Sequence, residues 1–333
     1  MKEDIKIAVV GSGYWGKNLV RNFYELEALQ TVCDTDTNRL NQMMKDYSGI
    51  KITTSFDEVL KDETIKALAI ATPASTHYQL VKTALLKGKD VFVEKPLALT
   101  VKEGEELVKM SRDLGRVLMV GHILQYHPAA IKLKEMIDQG ELGKIQYIYS
   151  NRLNIGKLRT EENILWSFAP HDISLILMLL GEAPIKVSAF GGDYLQRDLY
   201  DTTLTTLDFP SRVKAHIFVS WLHPFKEQKL VVVGGKKMAV FDDMTKEKLF
   251  LYPHKVQWVN RVPVAEKAEV EPVPFKPAEP LKEECRHFLE CVISRKNPMT
   301  DGEEGLRVLK VLEDAERSLL APQVPEAVSL NPQ

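Results

Sequence analysis

The sequence predicts an α/β protein in two parts: a doubly wound parallel sheet over residues 1–122, then an α+β domain over 123–333 on a large, mainly antiparallel open sheet. Three observations predict it. The 333 residues suffice for two cores, at about 150 residues per domain. Through the first 120 residues, short apolar runs alternate with helical patterns, which implies parallel pairing. Past about residue 122 the rhythm changes, and long β-rich segments between 185 and 252 have few helical patterns between them.

Lys6 to Val10 is an apolar strand, followed by Leu19, Val20, Phe23 and Leu26 on one helical face. Gln30 to Asp34 is the second strand, and Ser55 with Glu58 has capping-box spacing at the start of a short helix. Ala67 to Ala71 is the third, and the helical face Leu80, Val81, Ala84, Leu85 ends at Gly88. Val91 to Val93 is the fourth strand, Thr100 with Glu103 opens a helix that stops at Gly115, and Val117 to Val120 is the fifth strand. In the second part a helix covers Pro128 to Asp138, a strand covers Lys144 to Asn154, and a polar loop leads to an apolar helix at His171 to Leu180. Three β segments follow: Thr202 to Phe209, Val213 to Trp221 and Lys229 to Asp242. Residues 261–280 hold five prolines and read as an extended connection. Two helices close the pattern, Leu281 to Ser294 and Gly302 to Leu319, the latter behind a Thr300/Glu303 capping box.

Charge and cysteine content exclude several functions. Lys plus Arg total 44 against 46 Asp plus Glu, so no basic excess points to nucleic acid. The longest apolar stretch, Ile173 to Leu180, is interrupted by Ser174 and falls short of a membrane span. The N-terminal residues run straight into a strand pattern without a secretory signal, so a cytoplasmic protein is expected. Cys33, Cys285 and Cys291 fit neither a disulfide framework nor zinc spacing, and His216, His223, His254 and His287 have no clustered partners; no metal is expected.

Gly11-Ser12-Gly13-Tyr14-Trp15-Gly16 is a GxGxxG turn between a strand and a helix. Glycines there permit a tight turn and close backbone approach, so a pyrophosphate can sit on the helix N-terminus of a Rossmann-type domain. Asp34, 18 residues beyond Gly16, is placed to accept from an adenosine ribose diol. NAD is favoured over NADP because Asp34 and Asp36 repel a 2′-phosphate, the nearest base being Arg39.

Four motifs in order, GSGYWG, Ala71-Thr72-Pro73 with His77, Glu94-Lys95-Pro96, and His171-Asp172, resemble the glucose–fructose oxidoreductase/inositol dehydrogenase/rhizopine-catabolism (Gfo/Idh/MocA) family over nearly the whole chain. The resemblance implies an NAD(P)-dependent oxidoreductase acting on sugars, polyols or nucleotide sugars, as a homodimer or homotetramer through the second-domain sheet. Residue by residue it makes Lys95 and His171 the active-site pair. Gly11, Gly13, Tyr14, Trp15, Gly16, Asp34, Thr72, Pro73, His77, Glu94 and Lys95 are the cofactor-side residues. The family often has an acid four residues before the histidine; here Ser167 stands there.

Oxidising a secondary alcohol needs a base for the hydroxyl proton and a cation for the developing alkoxide. His171 suits the first role and Lys95, after a parallel strand, the second. Asp172, turned about 100° from its neighbour if helical, faces elsewhere. His122 and His127, near the domain change, read as structural rather than as ligands. Arg152 and Asn154 alternate onto what is read as the open side of the strand 144–154, and Lys157 and Arg159 follow, a group suited to a diphosphate or a polyhydroxylated sugar. From the resemblance of residues 151–171, a UDP-N-acetylhexosamine oxidised at C3 is the leading substrate. A polyol, inositol or aldose dehydrogenase, and a non-catalytic NAD-binding sensor, remain as alternatives.

Overall fold

The run Lys-Ile-Ala-Val-Val is buried over its last four residues because it is the middle of a sheet covered on both faces, where a strand needs no polar alternation. In the computed structural model, which describes residues 5–156 and 158–321, this run is β1 (Lys6–Val10). It lies among β2 (Leu29–Cys33), β3 (Lys51–Thr53), β4 (Ile65–Ile70), β5 (Asp90–Glu94) and β6 (Leu118–Gly121), in the order β3-β2-β1-β4-β5-β6. Every pairing in this sheet is parallel. Between them run α1 (Gly16–Glu25), α2 (Thr37–Asp46), α3 (Phe56–Lys61), α4 (His77–Leu86) and α5 (Val101–Asp113). The chain reverses direction across the sheet between β1 and β4, and the crevice at their C-terminal ends is where such folds bind ligands.

The second sheet has eight strands. In chain order they are β7 (Ile145–Leu153), β8 (Lys186–Gly192), β9 (Thr202–Asp208), β10 (Lys214–Ser220), β11 (Glu227–Gly234), β12 (Met238–Asp242) and β13 (Leu249–Tyr252). The eighth is the short Glu271–Pro272 at one edge. β7 lies centrally, parallel to β10 and antiparallel to β11. One face is covered by α6 (Pro128–Asp138), α7 (Ile164–Leu180) and the C-terminal α9 (Gly302–Leu320).

The last two helices do not stay with the second sheet alone. Leu281, Cys285, Phe288 and Cys291 of α8 (Pro280–Ser294) pack into the first sheet's core, with Phe288 edge-on to Phe23 and Phe92 at 6.4 and 5.8 Å. Both cysteines therefore fill the core. The backbone N–H of Val120 donates to Thr300 O at 2.8 Å, tying the α8–α9 connection to β6.

Several sequence expectations need correction. The apolar helix begins at Ile164, seven residues before His171, with the side chain of Asn163 accepting from the Trp166 N–H at 3.2 Å. Pro170 lies inside it; a proline costs the turn one N–H, and packing against the sheet sustains the helix regardless. Asp301, not Thr300, caps α9, accepting from Glu304 N–H at 3.0 Å, while the Thr300 hydroxyl lies 3.1 Å from that of Tyr126. The segment Lys229–Asp242 is two strands, because Gly234 begins a turn back on itself. Residues 261–280 are not wholly irregular: Val262–Glu266 pairs with Lys255–Val259 in a two-stranded ribbon, where Pro263, which has no N–H to donate, is tolerated because no third strand pairs with it among the described residues.

Candidate active site

The glycine loop has the shape its sequence requires. Gly11 adopts φ +90°, in the region L side chains avoid, and a Cβ on it would sit 2.8 Å from Ala71 O. A Cβ on Gly16 would lie 1.9 Å from Gly11 O, so only glycine lets α1 start this close to the turn. A Cβ on Gly13 would meet only Arg39 Nη1, at 3.7 Å, which leaves the loop's outer side clear for a pyrophosphate. Asp34 is buried at the end of β2 and accepts at Oδ2 from Ser12 N–H at 2.7 Å and the Ser12 hydroxyl at 2.9 Å. Burial alone would raise its pKa, but the Asp36 and Ser12 N–H groups outweigh it and hold it below the usual carboxylate range. Arg39 is engaged by both acids, its Nη1 3.7 Å from Asp34 and its Nε 3.2 Å from Asp36. The residues present fit an adenine dinucleotide.

Tyr14 and Trp15 diverge. The Tyr14 ring stands in solvent at 81% exposure, whereas the Trp15 indole N–H donates to Glu94 Oε1. Glu94 presses on Gly121, where a Cβ would lie 2.9 Å from its Oε2, and burial pushes its pKa up to about 7. Thr72 and Pro73 form the turn after β4, with the Thr72 hydroxyl 2.7 Å from that of Thr76. His77 is buried with Nδ1 2.8 Å from Pro96 O and Nε2 2.9 Å from Thr72 O. Each nitrogen lies against a backbone carbonyl, and the neutral ring favoured by burial donates to one of them, so His77 ties the β4 and β5 loops together.

Lys95 follows β5, and its Nζ donates to Ser167 O at 2.8 Å, one turn before His171 on α7. Burial depresses the Lys95 pKa; Glu162 and Glu94 partly oppose this, while Arg159 and Arg152 add to it. His171 is held well below the ordinary imidazole value by burial, then by the charges of Lys95 and Arg152 and by His122. Its Nδ1 is buried without a hydrogen-bond partner among the described residues. A neutral imidazole able to take a proton thus lies beside an ammonium that can stabilise an oxyanion.

These motifs match known proteins along the chain. Residues 5–122 match the oxidoreductase family with an NAD-binding Rossmann fold, and residues 130–240 match the GFO/IDH/MocA C-terminal domain. The chain belongs to this family. Scyllo-inositol 2-dehydrogenase (NAD(+)) of Bacillus subtilis strain 168 is 27% identical over 317 residues, covering 90% of this chain and 89% of the relative. UDP-N-acetylglucosamine 3-dehydrogenase of Acidithiobacillus ferrooxidans is 24% identical over 306 residues, covering 92% and 94%. A crystal structure of the latter superposes with a TM-score of 0.83 at 23% identity, covering 95% of this chain and 97% of that one. A gentamicin A biosynthesis protein in complex with NAD gives a TM-score of 0.81 at 21% identity, covering 96% and 95%. The chain is therefore an NAD-binding oxidoreductase of a family that acts on the CH–OH groups of sugars and polyols.

Within that family pattern the second-domain polar residues fall differently from the sequence expectation. Arg152 does not face the open side of the sheet. It turns toward α7, donating to Asp172 through Nε at 2.8 Å and Nη2 at 3.2 Å, and Asp172 also accepts from the Ser150 hydroxyl at 2.7 Å. Asn154 lies just past β7, where a Cβ on Gly156 would meet its Nδ2 at 2.6 Å. Lys157 lies outside the described residues. Arg159 is half-exposed and paired through Nε with Glu162 at 3.1 Å. Glu162 went unnoticed in the sequence although it contributes the leading opposing charge to Lys95. His127 is a helix cap, its Nδ1 accepting from Ala129 N–H at 3.1 Å. Among the described residues no group of three or more His, Cys, Asp or Glu is placed to hold a metal, and no helix is long and apolar enough to cross a membrane.

Proposed function

We propose that this protein oxidises the C3 hydroxyl of a UDP-N-acetylhexosamine-type nucleotide sugar, with Lys95 and His171 as the catalytic residues. The observation that carries the oxidation is the placement of Lys95 Nζ one helical turn from a neutral His171 at the C-terminal edge of the parallel sheet. NAD, when bound, supplies the hydride acceptor. The alcohol carbon gives up a hydride and its hydroxyl gives up a proton, which His171 accepts at a ring nitrogen while Lys95 holds the oxygen. The Ser167 hydroxyl, with no base to activate it, is not the acceptor. Gly11, Gly13 and Gly16 seat the pyrophosphate, Asp34 holds the ribose diol, and Thr72 and Pro73 border the nicotinamide half.

The choice of a nucleotide sugar is supported by the 24% identity to the UDP-N-acetylglucosamine enzyme over 92% of the chain, and by the half-exposed Arg159, whose charge is felt at Lys95. A second reading, a polyol or inositol dehydrogenase, is favoured by the commitment of Arg152 to Asp172, which leaves less positive charge for a diphosphate. The test is NADH formation with UDP-N-acetylglucosamine, N-acetylglucosamine and myo-inositol. A rate with the UDP-linked sugar far above both free compounds, falling in Arg159→Ala, supports the first reading. Equal rates with free and linked sugar, or turnover of myo-inositol alone, establish the second.

A further inference from the structure

Lys95 is partly buried, and its one side-chain hydrogen bond among the described residues, to Ser167 O at 2.8 Å, goes to a carbonyl and not to an anion. An ammonium so placed is costly unless an opposite charge lies within reach. The adjoining Glu94 serves poorly. It takes the Trp15 indole N–H at Oε1, and burial pushes its pKa up to about 7, so much of it is uncharged near neutrality. Asp172, beside His171, has both oxygens occupied, Oδ2 by Arg152 and Oδ1 by Arg152 and the Ser150 hydroxyl.

Glu162 stands differently. It immediately precedes Asn163, the cap of α7, and that helix start is pinned from several sides. Asn163 accepts from Trp166 N–H at 3.2 Å, the Trp166 indole donates to Glu316 Oε1 at 2.7 Å, and Ile164 N–H donates to Tyr200 O at 3.0 Å. Ser167, which receives Lys95, lies in the first turn of the same helix, so Glu162 and Lys95 are brought to one end of α7. Glu162 pairs through Oε1 with Arg159 at 3.1 Å, the two side chains being 24% and 41% exposed. Of the charges around Lys95, Glu162 most strongly opposes the effect of burial, with Glu94 behind it, while Arg159 and Arg152 act the other way. His77, His122 and His171 complete the surroundings, each favoured in its neutral form by burial.

We propose that Glu162 is a positioning residue, the counterion that Lys95 shares with Arg159, and that it holds Lys95 as an ammonium ready for the alcohol oxygen. This rests on the role given to Lys95 and not on the choice of sugar. The experiment titrates Lys95 itself, so that it does not depend on turnover. Lysines of the intact protein are reductively methylated with 13C-formaldehyde, the Lys95 resonance is assigned by its loss in Lys95→Arg, and its midpoint is followed by NMR. Glu162→Gln is expected to lower that midpoint by about one pH unit, the low end of what a neighbouring opposite charge gives. Glu162→Asp, which keeps the charge, is expected to return it close to wild type, and Arg159→Met, which removes the competing cation, to raise it. In parallel, the alkaline limb of kcat should move down with the midpoint in Glu162→Gln while the acid limb stays. A Lys95 midpoint unmoved in Glu162→Gln overturns the proposal. A midpoint that moves while the alkaline limb stays keeps Glu162 as the counterion and removes Lys95 from the chemistry. If Glu162→Gln loses its native circular dichroism spectrum, Arg159→Met decides, and no upward movement there overturns the proposal.

Discussion

Replacing Asp172 by Asn keeps the shape of the side chain and removes the charge that holds Arg152. The structure sets the size of the effect. Arg152 and Asp172 have side chains only 11% and 3% exposed and share two hydrogen bonds, at 2.8 and 3.2 Å. Removing one partner of such a pair leaves the other charge buried and uncompensated, which typically costs about 3–5 kcal/mol. Asn can still accept one of the bonds and that from Ser150, so the lower end, about 3 kcal/mol, is expected. With an unfolding entropy of about 2.1 cal/mol/K per residue, a chain of this length shifts by about 1.4 °C per kcal/mol, so the melting temperature should fall by roughly 4 °C. Urea unfolding followed by tryptophan fluorescence measures it. Arg152→Met combined with Asp172→Asn removes both charges and should be more stable than either single variant, with a coupling energy of about 2 kcal/mol. Additive losses, or single losses below about 0.5 kcal/mol, refute a stabilising pair. The same cycle separates positioning from substrate binding. If Arg152 grips substrate, the double variant keeps a raised KM; if it orders α7 under His171, activity recovers with stability.

Lys95→Ala and His171→Ala should each lose roughly a hundredfold to ten-thousandfold in kcat while binding NAD with unchanged affinity; near-normal turnover in either removes that residue from the chemistry. The acid limb of the oxidation rate should lie below the ordinary imidazole range, since burial and the Lys95 and Arg152 charges depress the His171 pKa from 6.5 and the neutral ring is the acceptor. A midpoint at or above that value contradicts this. Asp34→Ala should raise KM for NAD more than it lowers kcat, because its carboxylate is held ionised by Ser12 and Asp36 for the ribose. Glu94, with a folded pKa of about 7 above its ordinary 4.5, contributes stability that is full below 4.5 and lost as pH rises through 7. Glu94→Gln should therefore gain on wild type between pH 5 and pH 8 in parallel urea titrations, and a constant difference would deny Glu94 its raised pKa.

The features legible in the sequence were those written in local spacing. Strand and helix alternation, the GxGxxG turn and the acid ending β2 each depend on neighbours a few residues apart, and each falls where the spacing put it. Features set by distant partners were not. The start of α7 was hidden by Pro170, whose local meaning is a boundary but which packing overrides. The direction of Arg152 was misread because alternation tells which residues share a face, not which face is covered. One signal had been available: Asp172 stands inside the apolar run after His171, and a carboxylate buried on such a helix requires a cation, which Arg152 supplies. The α2 helix also went unread, although Asp36 caps it by accepting from Asn38 and Arg39 N–H groups.

The residue one turn before His171 is Ser167, and this shapes the electrostatics of the pocket. With no carboxylate one turn before His171, Lys95 bonds the Ser167 backbone carbonyl, a dipole and not a charge. Asp172 and Glu162 on the second domain are paired with arginines, Asp172 with Arg152 and Glu162 with Arg159. His171 consequently sits among cations, its protonated form disfavoured twice over, by burial and by like charge. Such a ring is a ready receptacle in its neutral state but a reluctant holder of the proton, so the proton must leave quickly or meet incoming negative charge. An alkoxide forming at Lys95 supplies that charge at the moment it is needed, which couples the two residues more tightly than a fixed carboxylate would. In this chain Lys95 and His171 therefore depend on each other, and removing either should cost nearly as much as removing both.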